Sequence, residues 1–244
     1  MDPVAFKIFG IEVMWYGILI SIGVIIGTLL ALREAKRVGV DENDFLDLLL
    51  FAIPAAVVGA RAYYVMFSWD YYKNNPIQIL NFRGGGLAIH GAIIAAVITA
   101  IIFTRKRGLD FWKIADIAAP SLALGQSIGR WGNYINKEAY GIPTDLPWGI
   151  MINGVKVHHT FLYESIGDFL VFLFLIWYRR EKAKESGEVF LLYIILYSLI
   201  RFFVESLRID SLMIGPIRVA QLVSITAIVV GLALFFVRRK KKDI

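Results

Sequence analysis

Long apolar runs alternate with short hydrophilic joints along nearly the whole chain of 244 residues. A helix needs roughly 20 mostly apolar residues to cross about 30 Å of hydrocarbon. Runs of this kind predict seven transmembrane helices, near residues 12–32, 46–67, 86–103, 111–128, 161–178, 189–205 and 217–237. The fourth run is the least apolar. The pattern therefore predicts an all-α integral membrane protein in which residues 1–244 form a single polytopic membrane domain.

Lysines and arginines gather in four joints, which fall on one side of the membrane if there are seven spans. These joints are residues 33–37, 105–107, 179–184 and 238–242. Because basic joints stay in the cytoplasm, the carboxyl terminus is predicted inside and the amino terminus outside. Residues 129–160, one of the two longest polar stretches, are then an extracytoplasmic loop or head region. The amino-terminal segment lacks the basic start and cleavage site of a signal peptide, so the first span is expected to remain in the mature protein.

The composition agrees with a membrane protein, since 58% of the residues are hydrophobic and only 19% are charged. The formal net charge is +6, but the basic residues lie where membrane topology requires them, so nucleic acid is not an expected partner. The chain has no cysteine, which excludes a disulfide, a thiolate metal site and a thiol nucleophile on the protein itself. Any thiol that reacts here must come from a substrate.

Ionisable side chains inside apolar runs are the first functional signal. Each costs roughly 2.5–3.5 kcal/mol to insert, so such groups are usually paired or functional. The candidates are Arg61, His90, Asp116, Glu164, Asp168, Arg201 and Glu205. Most of them would lie in the outer half of the membrane, which suggests a wet, charged cavity that opens outward.

The segment 197–208 carries four polar residues at helical spacing, namely Tyr197, Arg201, Glu205 and Arg208. At about 100° per residue these side chains fall within about 80° of one helix face. The alternative is an Arg–Glu ion pair that only fixes helix packing. Arg208 is a second arginine in excess of the carboxylate, and this excess favours anion binding.

The motif Gly129–Glu138 stands between the fourth and fifth predicted spans. Its glycines permit close backbone approach, and Arg130 can direct two N–H groups at phosphate oxygens. An ordinary interfacial turn is the alternative. The length of the motif and its two asparagines, Asn133 and Asn136, favour a binding site for a phosphate-bearing headgroup.

Histidines mark two further segments. The glycine-rich stretch 83–91 carries His90 about one turn inside the third span, where nearby arginines would keep its imidazole neutral and available as a base. The segment 158–164 leads into the fifth span, but an interfacial tyrosine and a carboxylate paired with a neighbouring arginine also explain it. No ligand spacing for a metal and no GxSxG nucleophile motif is present.

Taken together, these segments resemble the prolipoprotein diacylglyceryl transferase family of bacterial membrane enzymes. The most specific match is the family signature Gly-Arg-x-Gly-Asn-aromatic-x-Asn-x-Glu, found at Gly129–Glu138. Elements similar to HPxxLYE and RFxxExxR follow in the same order, and the resemblance covers nearly the whole chain. One position departs from the family pattern, because His159 stands where the family has proline after the loop histidine.

The resemblance implies transfer of a diacylglyceryl group from phosphatidylglycerol to the lipobox cysteine of a prolipoprotein signal peptide. This is the first step of lipoprotein maturation, and it implies the bacterial plasma (inner) membrane as the location. It implies no cofactor and no metal, and the partners are membrane lipid and the signal peptide. The implied catalytic residues are His90, Arg130, Arg201, Glu205 and Tyr197, and the implied substrate-binding residues are Arg130, Asn133, Glu138, Tyr16 and Arg208.

The implied mechanism is attack of the substrate thiolate on a glycerol carbon, with glycerol 1-phosphate as the leaving group. Arg130 and Arg201 would stabilise the charge of that leaving group. His90 is the expected base, with Glu205 or Glu138 as alternatives. Two other readings of the same charged spans are a transporter or channel for an anionic solute and a membrane scaffold without catalysis. Both fit less well, because the motifs crowd toward one face.

Overall fold

The computed structural model describes residues 2–240, so Lys241 and Lys242 of the predicted basic tail lie outside the described residues. Helices dominate this part of the chain. Its long helices are α1 (Trp15–Arg37), α2 (Glu42–Phe67), α4 (Ile89–Arg107), α5 (Phe111–Ile135), α6 (Thr160–Glu181), α7 (Glu188–Glu205) and α8 (Val219–Lys240). A short helix α3 (Trp69–Tyr72) and two 3₁₀ turns (Pro76–Leu80 and Phe82–Gly84) connect α2 to α4.

Small antiparallel hairpins occur in three connecting or terminal segments. They pair β1 (Val4–Ile8) with β2 (Ile11–Met14), β3 (Ile150–Ile152) with β4 (Val155–Val157), and β5 (Met213–Ile214) with β6 (Ile217–Arg218). None of these strands was predicted. They have only two to five residues each, which is too short for the hydropathy pattern to indicate them.

Each predicted span corresponds to a long helix, but only five of these helices are long and apolar enough by themselves to cross a membrane. These are α1, α2, α4, α6 and α8. Helix α7 has 18 residues, of which Glu188, Arg201 and Glu205 are charged. Helix α5 is continuous, but polar residues that include Asp116 and Arg130 interrupt its apolar sequence.

Two boundaries differ from the sequence-based prediction. Helix α5 continues to Ile135, so residues 129–135 are helical and do not belong to a loop. Arg130 and Asn133 therefore lie on its last two turns. Helix α7 ends at Glu205, so Arg208 lies beyond the helix that was expected to carry it. The sequence has no proline at either place to indicate where the helix stops.

The chain forms two compact units, one made of residues 1–31 and 115–244 and the other of residues 32–114. In the second unit α2 and α4 pack closely where Gly59 faces Gly91, and an added Cβ at either glycine would overlap the other backbone. The buried guanidinium of Arg61 donates hydrogen bonds to the carbonyl oxygens of residues 78, 79, 85 and 86. Arg61 therefore organises the loop that leads into α4.

In the first unit α1 meets α5 through small residues. The Cα of Gly125 lies 3.4 Å from the position of a Cβ on Gly23, and the Ser121 hydroxyl donates to the Gly27 carbonyl at 2.8 Å. Helices α6, α7 and α8 pack in chain order. Many large apolar side chains on the outer helix faces are exposed in the protein alone, for example Ile25 at 59% and Val229 at 60%. Such faces suit a hydrocarbon environment.

Two acidic residues hold the basic end of this unit, where α6 and α8 finish. Asp116 accepts hydrogen bonds from the backbone N–H groups of Gly187 at 2.6 Å and Phe190 at 2.8 Å, and so caps the start of α7. The fully buried Glu188 accepts from the Tyr178 hydroxyl at 3.0 Å and lies 3.4 Å from Arg239. The ends of α6 and α8 therefore both lie beside the start of α7.

Candidate active site

Glu164 of α6 joins two arginines from two other helices. Its Oε2 lies 3.0 Å from Nη1 of Arg130 on α5, and its Oε1 is ion-paired with Nη1 of Arg201 on α7. The carboxylate is 2% exposed, whereas the two guanidiniums are 19% and 21% exposed. The predicted convergence of Arg130 and Arg201 is present in the structure, and it depends on an acidic residue that the sequence analysis had not placed in the site.

The remaining contacts of Arg130 fix the orientation of its guanidinium. Its Nη2 donates to the Tyr197 hydroxyl at 3.3 Å, and its Nε lies 3.9 Å from Oδ2 of Asp168. Tyr197 stacks on Tyr193 with ring centroids 6.0 Å apart. Helices α6 and α7 thus contact the same guanidinium on three of its nitrogens.

The end of α7 adds Glu205 and Arg208 to the cluster. Arg201 Nη2 lies 2.7 Å from Glu205 Oε2, and Arg208 lies 3.9 Å from the same oxygen and 4.0 Å from Glu164. Arg208 also donates two hydrogen bonds to Asp210, at 2.9 and 2.6 Å. The interpretation of Arg208 as an arginine in excess is therefore wrong, because Asp210 balances its charge.

Arg218, which no sequence motif indicated, supports this turn from β6. Its Nη1 donates to the backbone carbonyls of Glu205 and Arg208, the latter at 2.8 Å, and to the Ser211 hydroxyl at 2.9 Å. A cation at the end of a helix satisfies carbonyls that have no partner within the helix. Arg218 thereby fixes the backbone that carries Glu205 and Arg208.

The end of α5 brings three predicted binding residues together. An added Cβ on Gly132 would overlap the ring of Tyr16, so glycine is what allows that ring to lie against α5. The Asn133 amide donates to Glu138 Oε1 at 3.1 Å, and the Asn136 amide donates to the same oxygen at 3.3 Å. The motif therefore closes a turn as well as presenting polar groups.

His90 lies in the first turn of α4, in the second unit, and its side chain is exposed. Its ring packs near that of Tyr63, with centroids 5.9 Å apart. The role of His90 as a base stays a prediction.

The loop histidines have different surroundings. His158 Nδ1 lies 3.3 Å from the Tyr163 hydroxyl, which accepts from Trp148 Nε1 at 3.0 Å. His159 precedes α6, and burial lowers its pKa below the ordinary value of 6.5, although a hydrogen bond with the backbone of Trp148 acts in the opposite direction. In residues 2–240 no group of three or more histidines and carboxylates is arranged to hold a metal ion.

The cluster has no excess of positive charge. Its ion pairs join three guanidiniums, those of Arg130, Arg201 and Arg208, to four carboxylates, those of Glu164, Asp168, Glu205 and Asp210. A phosphate that binds here must therefore compete with these carboxylates for the guanidiniums. Glu164 and Asp168 could be recognised from sequence as ionisable residues within a span. Asp210 lies in a polar segment without such a signal, and Arg218 stands at the very start of the predicted span 217–237, where a basic residue is ordinary.

A family model described as prolipoprotein diacylglyceryl transferase matches residues 3–237. The chain belongs to this family. A phosphatidylglycerol–prolipoprotein diacylglyceryl transferase of Finegoldia magna is 59% identical over 234 residues, covering 96% of this chain and 94% of the relative. Relatives with the same name from Clostridioides difficile and Bacillus mycoides are 52% and 48% identical, covering 100% and 98% of this chain and 98% and 93% of their own lengths.

The match to the prolipoprotein diacylglyceryl transferase family includes every residue of the arginine–carboxylate cluster. It confirms the family resemblance that the sequence motifs indicated. It gives no support to the alternative of a transporter for an anionic solute.

Proposed function

We propose that this chain transfers the diacylglyceryl group of phosphatidylglycerol to the thiol of a lipobox cysteine in a prolipoprotein, the first step of lipoprotein maturation. The observation that carries the proposal is the meeting of Arg130 and Arg201 at Glu164, within a member of this transferase family. Two preorganised guanidiniums from separate helices suit a reaction in which a phosphate becomes more negative.

In this reaction the substrate sulfur forms a bond to the glyceryl carbon that carries the phosphate ester. The bond between that carbon and the ester oxygen breaks, and its electron pair leaves with glycerol 1-phosphate. The thiol proton passes to a base, and the product is a thioether. The leaving group changes from a phosphodiester to a phosphomonoester, so its negative charge grows as the bond breaks.

Arg130 and Arg201 would stabilise that growing charge. Both guanidiniums are about a fifth exposed, so each has a side open to a ligand while Glu164 holds the other. A carboxylate partner also keeps each arginine oriented before the lipid arrives, which lowers the cost of reorganisation during the reaction. Exchange of one Glu164 contact for a phosphate oxygen conserves the number of charge-assisted hydrogen bonds.

The other predicted residues would position the two substrates. Tyr16, Asn133 and Tyr197 offer hydrogen-bonding groups, while Glu138 orders the turn after α5 by accepting from Asn133. Arg208 would add to the binding of the headgroup, and this contribution is smaller than that of Arg130 because its side chain is 10% exposed against 19% for Arg130.

The base takes the proton of the substrate thiol. His90 is proposed on the family resemblance, and Glu205 and Glu138 are the alternatives. His90→Asn keeps the size and one hydrogen-bonding group of the imidazole but cannot accept the thiol proton at neutral pH. Retention of full transfer by His90→Asn would exclude it as the base.

We also propose that all seven long helices cross a bacterial plasma membrane, with the amino terminus and the arginine–carboxylate cluster outside and the carboxyl terminus in the cytoplasm. Support comes from Glu188 at the start of α7, which contacts Tyr178 near the end of α6 and Arg239 near the end of α8. If α6 and α8 cross in one direction, the intervening α7 must return through the same thickness. Helix α5 runs parallel to α7, since Asp116 contacts residue 187 and Arg130 contacts Tyr197.

The activity is tested with the purified protein in nanodiscs that contain phosphatidylglycerol. A lipobox peptide should gain the mass of a diacylglyceryl group, and the same peptide with Cys→Ser should not. Arg130→Lys and Arg201→Lys keep the charge but lose the two-pronged geometry, so a fall in rate of at least tenfold is expected. Arg180→Lys, at an exposed arginine on the last turn of α6, is the matched control.

Full transfer by both lysine variants would show that two-pronged charge stabilisation is the wrong explanation. Absence of transfer by the unmodified protein, with the peptide and lipid both present, would refute the proposed function itself.

A further inference from the structure

Asp168 is a buried acidic residue that none of the motifs above includes. It lies on α6 four residues after Glu164, so both carboxylates project from the same face of that helix. Asp168 is 1% exposed. An ionised carboxylate in such a place needs a nearby cation to offset the loss of hydration.

Arg130 is the cation that Asp168 faces. The Oδ2 of Asp168 lies 3.9 Å from the Nε of Arg130, and neither atom has a hydrogen-bond partner in the described part of the chain. An N–H···O hydrogen bond is about 2.9 Å long, so a movement of about 1 Å would join these two atoms directly. The Nε of Arg130 and the Oδ2 of Asp168 are thus a buried donor and a buried acceptor that face each other but are too far apart to form a hydrogen bond.

The two carboxylates differ in what else they contact. Glu164 is shared between Arg130 and Arg201, and its contact with Arg130 is to a terminal nitrogen, Nη1. Among the described residues, the one ion pair of Asp168 is with Arg130, at the Nε edge of the guanidinium. A phosphate that approaches the exposed side competes with Glu164 for the terminal nitrogens, while the Nε edge stays turned toward Asp168.

We propose that Asp168 is a positioning residue for diacylglyceryl transfer, which holds the Nε edge of Arg130 while its terminal nitrogens exchange Glu164 for the lipid phosphate. The inference rests on the proposed function, because it concerns how Arg130 meets that phosphate. When the lipid is bound, the Asp168–Arg130 contact closes to hydrogen-bonding distance, and the guanidinium cannot follow the phosphate away from the reacting carbon.

The test is a double-mutant cycle in the nanodisc transfer assay. Asp168→Asn keeps the shape of the side chain and removes its charge, and it should lower kcat at least tenfold while the KM for the peptide stays within twofold. Because Asp168 acts through Arg130, the same change in an Arg130→Lys background should alter kcat less than twofold. Coupling of this kind is not expected if Asp168 only stabilises the fold.

Ser165→Ala is the matched control for packing, since Ser165 is buried on the same helix and exchanges hydrogen bonds with Ser127. It should leave kcat unchanged. Asp168→Glu keeps the charge and should retain more activity than Asp168→Asn at a similar melting temperature.

Three results would overturn the proposal: a kcat of Asp168→Asn within twofold of the unmodified protein, equal losses in both backgrounds, or a loss that follows the melting temperature across these variants. Each requires that the unmodified protein transfers the group, so failure of the inference is distinct from failure of the proposed function.

Discussion

The Nη1 atom of Arg130 lies 3.0 Å from the Oε2 atom of Glu164, which brings the end of α5 against the start of α6. The other oxygen of this carboxylate pairs with Arg201. One acidic side chain thus joins Arg130 to Arg201, which lies 71 residues further along the chain. Stability and activity should both depend on it.

Glu164→Gln keeps the shape of the side chain but leaves two guanidiniums without their shared anion. Removal of one partner of a buried ion pair costs about 3–5 kcal/mol, and we expect about 3 kcal/mol because the arginines are partly exposed. Thermal unfolding in detergent measures this change. Asp70→Asn, at a pair on the surface with Lys73, is the control and should leave the melting temperature unchanged. Equal melting temperatures for both variants would show that Glu164 does not hold the helices together.

Gly132→Ala tests the contact between α5 and the ring of Tyr16. The added methyl group would overlap that ring, and overpacking of this kind costs about 1–3 kcal/mol. We expect a lower melting temperature and a slower transfer rate. Gly129→Ala, three residues earlier on the same helix, has open space around its Cβ and should be neutral or stabilising by up to about 1 kcal/mol. Similar behaviour of both variants would argue against a specific role for the Tyr16 contact.

Arg218→Met tests the support of the turn after α7. The variant loses hydrogen bonds from a charged donor to the carbonyls of Glu205 and Arg208, each worth about 1.5–3 kcal/mol. Amide hydrogen exchange of residues 206–211 should become faster, and the transfer rate should fall with it. Arg105→Met, at an exposed arginine at the end of α4, should change neither measurement. Unchanged exchange in Arg218→Met would show that the turn holds without this arginine.

The stability of the segment before α6 should depend on pH through His159. Burial lowers the pKa of His159 in the folded protein, so folding favours the neutral ring. The contribution of this residue is therefore complete above the ordinary value of 6.5 and is lost as the pH falls below it. His159→Pro removes the titrating group, and the backbone φ of −76° suits proline. Melting temperatures at pH 7.5 and 5.0 should diverge between the two proteins, and parallel curves would contradict this account.

Single cysteines test the proposed orientation without background labelling, because the chain has none of its own. Asp145→Cys, at an exposed position between α5 and β3, should react in intact cells with a maleimide that cannot cross the membrane. Lys182→Cys, exposed at the end of α6, should react only after the cells are opened. The opposite result would reverse the orientation.

The hydropathy pattern alone was enough to locate all seven long helices, because the length of an apolar run is a property of local composition and does not depend on which helix is the neighbour. It was weaker at helix ends. The end of α7 at Glu205 is accompanied by contacts from Arg218, which donates to the carbonyls of Glu205 and Arg208. Those contacts come from another element, so the residues of α7 themselves do not indicate where the helix stops.

The sequence by itself determined the membrane class and the family, and it singled out the three arginines that the cluster contains, since these follow from hydropathy and from motifs of fixed spacing. Only the tertiary structure decided that Glu164 joins Arg130 to Arg201, that Asp168 faces Arg130 and that Asp210 balances Arg208. The reason is physical: ion pairs between helices depend on the packing angle and depth of each helix, and hydropathy constrains neither.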